Sequence, residues 1–529
     1  MLSRKKILGC MLGGLIALPS FPCLADGAEM SMNKVLAQFT PYAEQTQADW
    51  HVPGMAIAIV QNGQIIYARG FGKRNAQGAP VTPDTIFDIA SLTKSFTATL
   101  LAMQIDEGKY SWDTKVLKLY PQFKLYSSET TKEFEVQDLM VHDSGLPPDA
   151  TDALGNFGYS TADTIYALRF IQPIAPFRTA FDYQDIFPML AAEIIQQVGG
   201  ENYTTILHQS IFSPLHMDNS YLDSEEKLYQ LKNVAQPFVY FSGKEYPYPM
   251  NPPYLAELRA LQKDAGGSGG IHSSAVDMAK WLIFNINNGA IGNTQLISVK
   301  NMDFIHAPQN LIKTSTRDVR LNGEAEQLYS QGWFIDKEEY KPYTVLYHPG
   351  GGTGMHALMA YIPEEKIGIV ILTNTWGNQV PEALYRRFFD LYFHEKPLQN
   401  WSEIYLQENA KASAAQSASS KPDQCQTIKE PSLEQYVGTY YNPVYGNILM
   451  SKQGDHLTLT IGPIGMQWQL TYCQNNVLQA YWPNPYGMPF PMLPSGQDLI
   501  QFTAGPNDTV QTMTIPYLNG DGSGVFTKK

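Results

Sequence analysis

The sequence predicts an α+β fold: an antiparallel β-sheet flanked by helices, with an inserted helical region and a small all-β C-terminal domain. Three observations carry this. A hairpin pattern lies early, at Met55 to Arg69 around Asn62-Gly63, and short apolar runs return late, at Thr344 to Tyr347, Ala357 to Tyr361 and Ile367 to Thr373. The interval between them reads as helices. Beyond the residue-409 region the composition shifts, and short alternating runs such as His456 to Ile461 take over.

Taken in chain order, the first residues read as a secretory signal. Arg4, Lys5 and Lys6 are a basic start, Ile7 to Leu18 is apolar, and Cys23-Leu-Ala25 offers small residues at the cleavage-defining positions. The apolar run is short for a membrane span. A signal peptide over 1–25 is therefore expected, placing the mature chain in the periplasm or outside the cell, with no membrane span after its removal. Ser31 to Ala48 reads as a helix. Ser91 to Gly108 reads as a buried helix ending at a glycine, and Phe187 to Val198 as another. Ser274-Ala-Val-Asp277 is a capping box opening a third, with Trp281 on its apolar face. Pro381 to His394 is amphipathic. These elements make one domain over 26–408. Residues 409–424, rich in Ala, Ser, Lys and Gln, have linker composition, and 425–529 reads as the all-β domain.

Composition narrows the function. The chain of 529 residues is 44% hydrophobic and 16% charged, which suits folded domains. Its formal net charge of -13 argues against nucleic acid, because phosphate binding needs clustered Lys and Arg. No His-Glu-x-x-His or zinc-spaced cysteine pattern occurs, so neither metal nor other cofactor is expected. With the signal removed, Cys425 and Cys473 remain, and an oxidising compartment would permit them to pair.

The chemistry centres on Ser91-Leu-Thr-Lys94. A serine at a helix start lies near free backbone N–H groups, and a lysine three residues on shares its face. The pair supplies a nucleophile and a base partner together. The spacing alone is weak: Ser3/Lys6, Ser31/Lys34 and Ser224/Lys227 share it. Its setting, Thr85-Ile-Phe-Asp-Ile-Ala-Ser91-Leu-Thr-Lys94-Ser-Phe-Thr, singles it out.

With that setting the chain resembles the class C β-lactamase and penicillin-binding serine hydrolase family, from Val52 to His394. The resemblance includes Val52-Pro-Gly-Met-Ala-Ile-Ala, Arg69-Gly-Phe-Gly72, Asp138-Leu-Met-Val-His142-Asp-Ser-Gly-Leu146, Gly269-Gly-Ile-His-Ser-Ser274 and Gly332-Trp333. The β part resembles the lipocalin-like domain appended to some members.

The resemblance implies the remaining roles. Phe181-Asp-Tyr183-Gln-Asp185 stands where the family has Tyr-x-Asn. Tyr183 would take the proton of Ser91 and later return one to the leaving group, with Lys94 stabilising its phenolate. Asp185 replaces a neutral asparagine; a carboxylate beside Lys94 would raise its pKa, repel carboxylates, welcome an ammonium and weaken β-lactam turnover. His348-Pro-Gly350 stands for the family's third motif, with His348 a donor near substrate. Gly350 permits close backbone approach, and the N–H of Gly351 with that of Ser91 would form the oxyanion hole. The implied activity is hydrolysis of amides or esters through an acyl-enzyme. The partner is a small-molecule or peptide substrate, with β-lactams, D-amino-acid peptides and esters foremost. The alternatives are an esterase using the same residues and a penicillin-binding or peptidoglycan-sensing protein with little turnover. The β domain, which holds no catalytic motif, is expected to be dispensable for the acyl step.

Overall fold

The computed structural model describes residues 31–241, 243–248, 266–312, 327–337, 340, 342–352, 354–394, 398–419, 432–481, 499–505 and 509–529. The expected signal at 1–25 lies outside them, as does Cys425.

The body is built on an eight-stranded antiparallel sheet. Its spatial order is Asn310–Ile312, Gln327–Tyr329, Phe334–Asp336, Val345–Gly352, Met355–Ile362, Ile367–Thr373, Gly54–Gln61 and Gln64–Gly72. The early hairpin therefore completes the late strands: Met55 pairs with Thr373 and Gln61 with Ile367. Gly54–Gln61 is not an alternating half-buried strand, because both of its faces are covered. Met55, Ile57 and Ile59 pack with Phe39 and Phe388, from helices Met32–Asp49 and Val380–Phe393. Ala56, Ala58 and Val60 pack with Met278 and Trp281 of helix Ala275–Ile286. Period-two side-chain direction sends alternate residues into two cores.

The second core extends into the helical region, where helix Thr93–Asp106 packs against Ile186–Gly199. Thr93–Gln104 is buried throughout, which a helix manages only when surrounded. A small sheet, Ile86–Asp88 beside Ile271–Ser274 beside Tyr221–Leu222, closes the body next to that helix.

Trp401–Ser419 is a helix, so the linker composition beginning at Asn409 starts inside regular structure. Its first turn is fastened to the body: Trp401 donates to Asp390 at 2.6 Å and Trp50 to Ser402 at 3.1 Å. The C-terminal part is a closed eight-stranded barrel, Gly438–Asn442 pairing with both Gly446–Gln453 and Val525–Lys528. Closure removes every sheet edge. Tyr440, Met450, Leu459, Trp468 and Phe526 are buried there. Cys473 is buried and disulfide-bonded.

The barrel is packed on the body. Phe157 lies 5.9 Å from Trp468, ring to ring, Tyr159 donates to the Tyr445 carbonyl, and the Thr151 N–H donates to Asp521 at 3.2 Å. Both units belong to one continuous apolar cluster.

Candidate active site

Ser91 lies in the 3-10 turn Ala90–Leu92, immediately before helix Thr93–Asp106. That turn is held by three hydrogen bonds. Ala90 has φ +46°, and its N–H donates to Asp88 at 2.8 Å. The Ile89 N–H donates to the Ile271 carbonyl at 3.0 Å, and the Ile271 N–H to Thr93 at 3.2 Å. A left-handed alanine is costly and persists only where neighbours over-determine it.

Lys94 is fully buried. Its Nζ donates to Ser91 Oγ at 3.0 Å, to the Ser268 carbonyl at 3.0 Å and to Asp185 Oδ1. Three acceptors match the three donors of an ammonium. Asp185 is the residue before helix Ile186–Gly199. The Tyr183 ring sits under Lys94, Nζ lying 4.8 Å from its centroid. The Tyr183 hydroxyl is buried and has no hydrogen-bond partner among the described residues. Burial, then the charge of Asp185, hold its pKa well above the ordinary phenol range; Asp152 and Asp149 add to this, while Ser91 is the contact that pulls it down. Lys94 stands over the ring, and the nearby carboxylates oppose a negative charge on the hydroxyl, so Tyr183 rests as a neutral hydroxyl beside Ser91.

His348 is 1% exposed, and its imidazole faces inward. The Gln184 N–H donates to His142 Nδ1 at 3.2 Å, which places the His142 proton on Nε2. His142 Nε2 then donates to the Tyr329 hydroxyl at 3.2 Å, and Tyr329 donates to His348 Nε2 at 3.0 Å. The His348 proton is left on Nδ1, 2.6 Å from the Pro349 carbonyl oxygen. Burial pulls His348 down to about 3, with Lys94 adding to it, and holds His142 well below its ordinary range. Both rings are neutral. The His142 ring lies 4.3 Å from that of Tyr183, so this row of rings backs the tyrosine.

Gly350 lies on Val345–Gly352, where a Cβ would come 2.3 Å from the Ile89 carbonyl oxygen. That absence of a side chain lets the strand lie against the Ser91 turn. Beyond Tyr347, among the described residues, this strand is paired only with Met355–Ile362, so Gly351 lies on a strand edge open on its other side. Ser91, Lys94, Tyr183 and Asp185 are thus brought together, Gly350 and Gly351 flank them, and His348 stands behind Tyr183. Sequence reasoning missed Tyr329, whose only signal was its place three residues before Gly332-Trp333. It also missed Asp149 and Asp152, on the loop before Phe157. The Asp149 N–H donates to the Tyr183 carbonyl at 2.9 Å. Burial and the charges of Asp185 and Asp149 hold the Asp152 carboxyl well above the usual carboxylate range. Among the described residues, no group of three or more His, Cys, Asp or Glu could hold a metal ion.

A family model described as Beta-lactamase matches residues 39–391. The chain belongs to the beta-lactamase family. Ser91, Lys94 and Tyr183 all fall within the matched region, and the fold is that of a serine hydrolase. A second family model, a Domain of unknown function (DUF3471), matches residues 423–523, most of the barrel. Among relatives, the protein is 27% identical over 424 residues to "Unguisins hydrolase ungD'" of Aspergillus campestris, covering 77% of this chain and 76% of that one. It is 24% identical over 337 residues to "Protein flp" of Staphylococcus aureus, covering 63% of this chain and 62% of that one. Among solved structures, the octameric penicillin-binding protein homologue from Pyrococcus abyssi is similar in fold. That match has a TM-score of 0.59 and 22% identity, and covers 92% of this beta-lactamase-family chain and 98% of the other.

Proposed function

We propose that the protein is a periplasmic or secreted hydrolase that cleaves amide or ester bonds through an acyl-enzyme on Ser91. The observation that carries this is the hydrogen-bonded series Ser91 Oγ, Lys94 Nζ, Asp185 Oδ1, with the unpartnered Tyr183 hydroxyl beside it. Lys94 passes a proton to Asp185 and, with the lone pair this frees, takes the proton of Ser91 as Oγ attacks the substrate carbonyl. The negative charge thereby moves from Asp185 to the carbonyl oxygen, beside the N–H groups of Ser91 and Gly351. On collapse, Tyr183 gives its proton to the leaving group and regains one from Lys94, which regains one from Asp185. Water then takes the place of the serine hydroxyl, and the same series runs again.

The relative named as a hydrolase supports turnover over acylation alone. The substrates that fit are esters, D-amino-acid peptides and β-lactams. Labelling with a fluorescent fluorophosphonate, followed by intact mass, tests the assignment. The wild type should gain one adduct and Ser91→Ala none. A Ser91→Ala protein labelled at the normal rate would overturn it.

A further inference from the structure

Trp376 is one of the most exposed large apolar side chains among the described residues, at 55%. It lies in the turn between strand Ile367–Thr373 and helix Val380–Phe393. This turn is not a loose surface loop. Asn374 accepts from the Gly54 N–H at 2.7 Å, Thr375 donates to the Phe238 carbonyl at 3.1 Å, and Asn378 donates to the Thr375 carbonyl at 2.7 Å. All three polar side chains are buried, while the indole between them stands in solvent.

The indole itself is also held. A Cβ on Gly351 would fall 1.9 Å from its ring, so Trp376 lies directly on the backbone of that glycine. On another side it stacks with His356, with centroids 6.0 Å apart and planes at 29°. His356 is in turn fixed by Glu382 at 2.8 Å. An exposed aromatic ring held rigid loses little freedom when a partner lies on it.

Its place is what gives it a role. Gly350 and Gly352, on either side of Gly351, point the other way, toward Ile89 and Asp88 at the nucleophile turn. Trp376 and Ser91 therefore lie on opposite faces of one strand, and that strand's unpaired edge runs between them. A group adjoining a carbonyl held at this edge would have only the width of the strand to cross to meet the indole.

We propose that Trp376 is a specificity-determining residue, the stacking platform for an apolar, ring-bearing group next to the scissile carbonyl. This rests on the Ser91 acyl-enzyme reading. A ring stacked on a ring is favoured beyond the area it covers, which a methyl group in the same place cannot match.

Two matched ester pairs test it: phenylacetyl against acetyl on one leaving group, and benzyl against methyl alcohols on one acyl group. The wild type should favour the phenyl member of at least one pair. Trp376→Ala should lower that preference in kcat/KM by about tenfold, chiefly through KM. Trp376→Phe should restore most of it, a rescue that a merely structural role does not predict. Fluorophosphonate labelling of Ser91 in both variants shows that the site is still formed. If the alanine variant is labelled and keeps the wild-type preference in both pairs, or if the wild type has none, Trp376 has no such role. If the wild type is not labelled at all, the acyl-enzyme reading fails first and the inference with it.

Discussion

Changing Asp185 to asparagine tests the proton path most directly. The carboxylate is the outermost of three acceptors around Lys94 Nζ, and it is the one that carries charge. Two unit charges about 4 Å apart interact by roughly 4 kcal/mol at a near-surface effective dielectric. The Asp185 side chain is 37% exposed, so water screens much of this. What remains is about 1–2 kcal/mol. Asparagine keeps the shape and an acceptor oxygen but cannot take a proton. Acylation should slow by about tenfold to a hundredfold on a neutral ester and on nitrocefin alike, the loss appearing in kcat. Stopped-flow acylation under single-turnover conditions reads this without interference from product release. Should nitrocefin turnover rise in Asp185→Asn while ester acylation holds, Asp185 acts only as a charge that repels acidic substrates, and the relay is refuted.

Other expectations concern the supports of the site. Tyr329→Phe leaves two buried imidazole nitrogens without their partner, and each costs about 1–3 kcal/mol. Urea midpoints should fall accordingly, and a change under about 0.5 kcal/mol would show that water replaces the hydroxyl. Asp143 gives a pH dependence: burial, then Asp138, lift its carboxyl from 3.8 to about 7, against the pull of Arg178. With the folded value above the unfolded one, its stability contribution is complete below about pH 4. It is then lost as pH rises to about 7, by up to about 4 kcal/mol. Asp143→Asn should therefore melt higher than wild type at pH 8 and equally near pH 4; parallel melting curves at both pH values would contradict the shift. Gly462 has φ +75°, and a Cβ there would fall 2.4 Å from the Phe157 carbonyl. Gly462→Ala should cost about 1–3 kcal/mol. It should also slow Ser91 labelling, because Phe157 ends the loop whose Asp149 holds the Tyr183 backbone. Unchanged labelling in a destabilised protein would support the expectation that the barrel is dispensable for the acyl step.

Much of the site was legible in the sequence because its motifs are local. Ser91 and Lys94 are three residues apart on one turn of chain, and Tyr183 and Asp185 stand together at the start of one helix. The sheet was legible in outline from its glycine and Asn-Gly punctuation. The burial of Gly54–Gln61 on both faces also had a local sign, the unbroken apolar run from Met55 to Val60. The direction of the His348 ring was hidden, because it is set by Tyr329 and His142, which come from two other stretches of chain. The contact between barrel and body was out of reach for the same reason: Phe157, Tyr159 and Ile464 are ordinary apolar residues until the fold sets them together. Trp376 carries no motif at all, and only its rigid seat on Gly351 distinguishes it.

The row His142, Tyr329, His348 has a mechanical consequence as well. Its first ring belongs to the helical region and its last two to the sheet, so it bridges the two walls of the cleft from behind. The walls cannot swing apart like jaws without pulling a buried hydrogen bond open, and both ends of the row are fixed by backbone groups at Gln184 and Pro349. Parting the sheet from the helical region at this point therefore carries a cost of about 1–3 kcal/mol for each buried partner left unpaired.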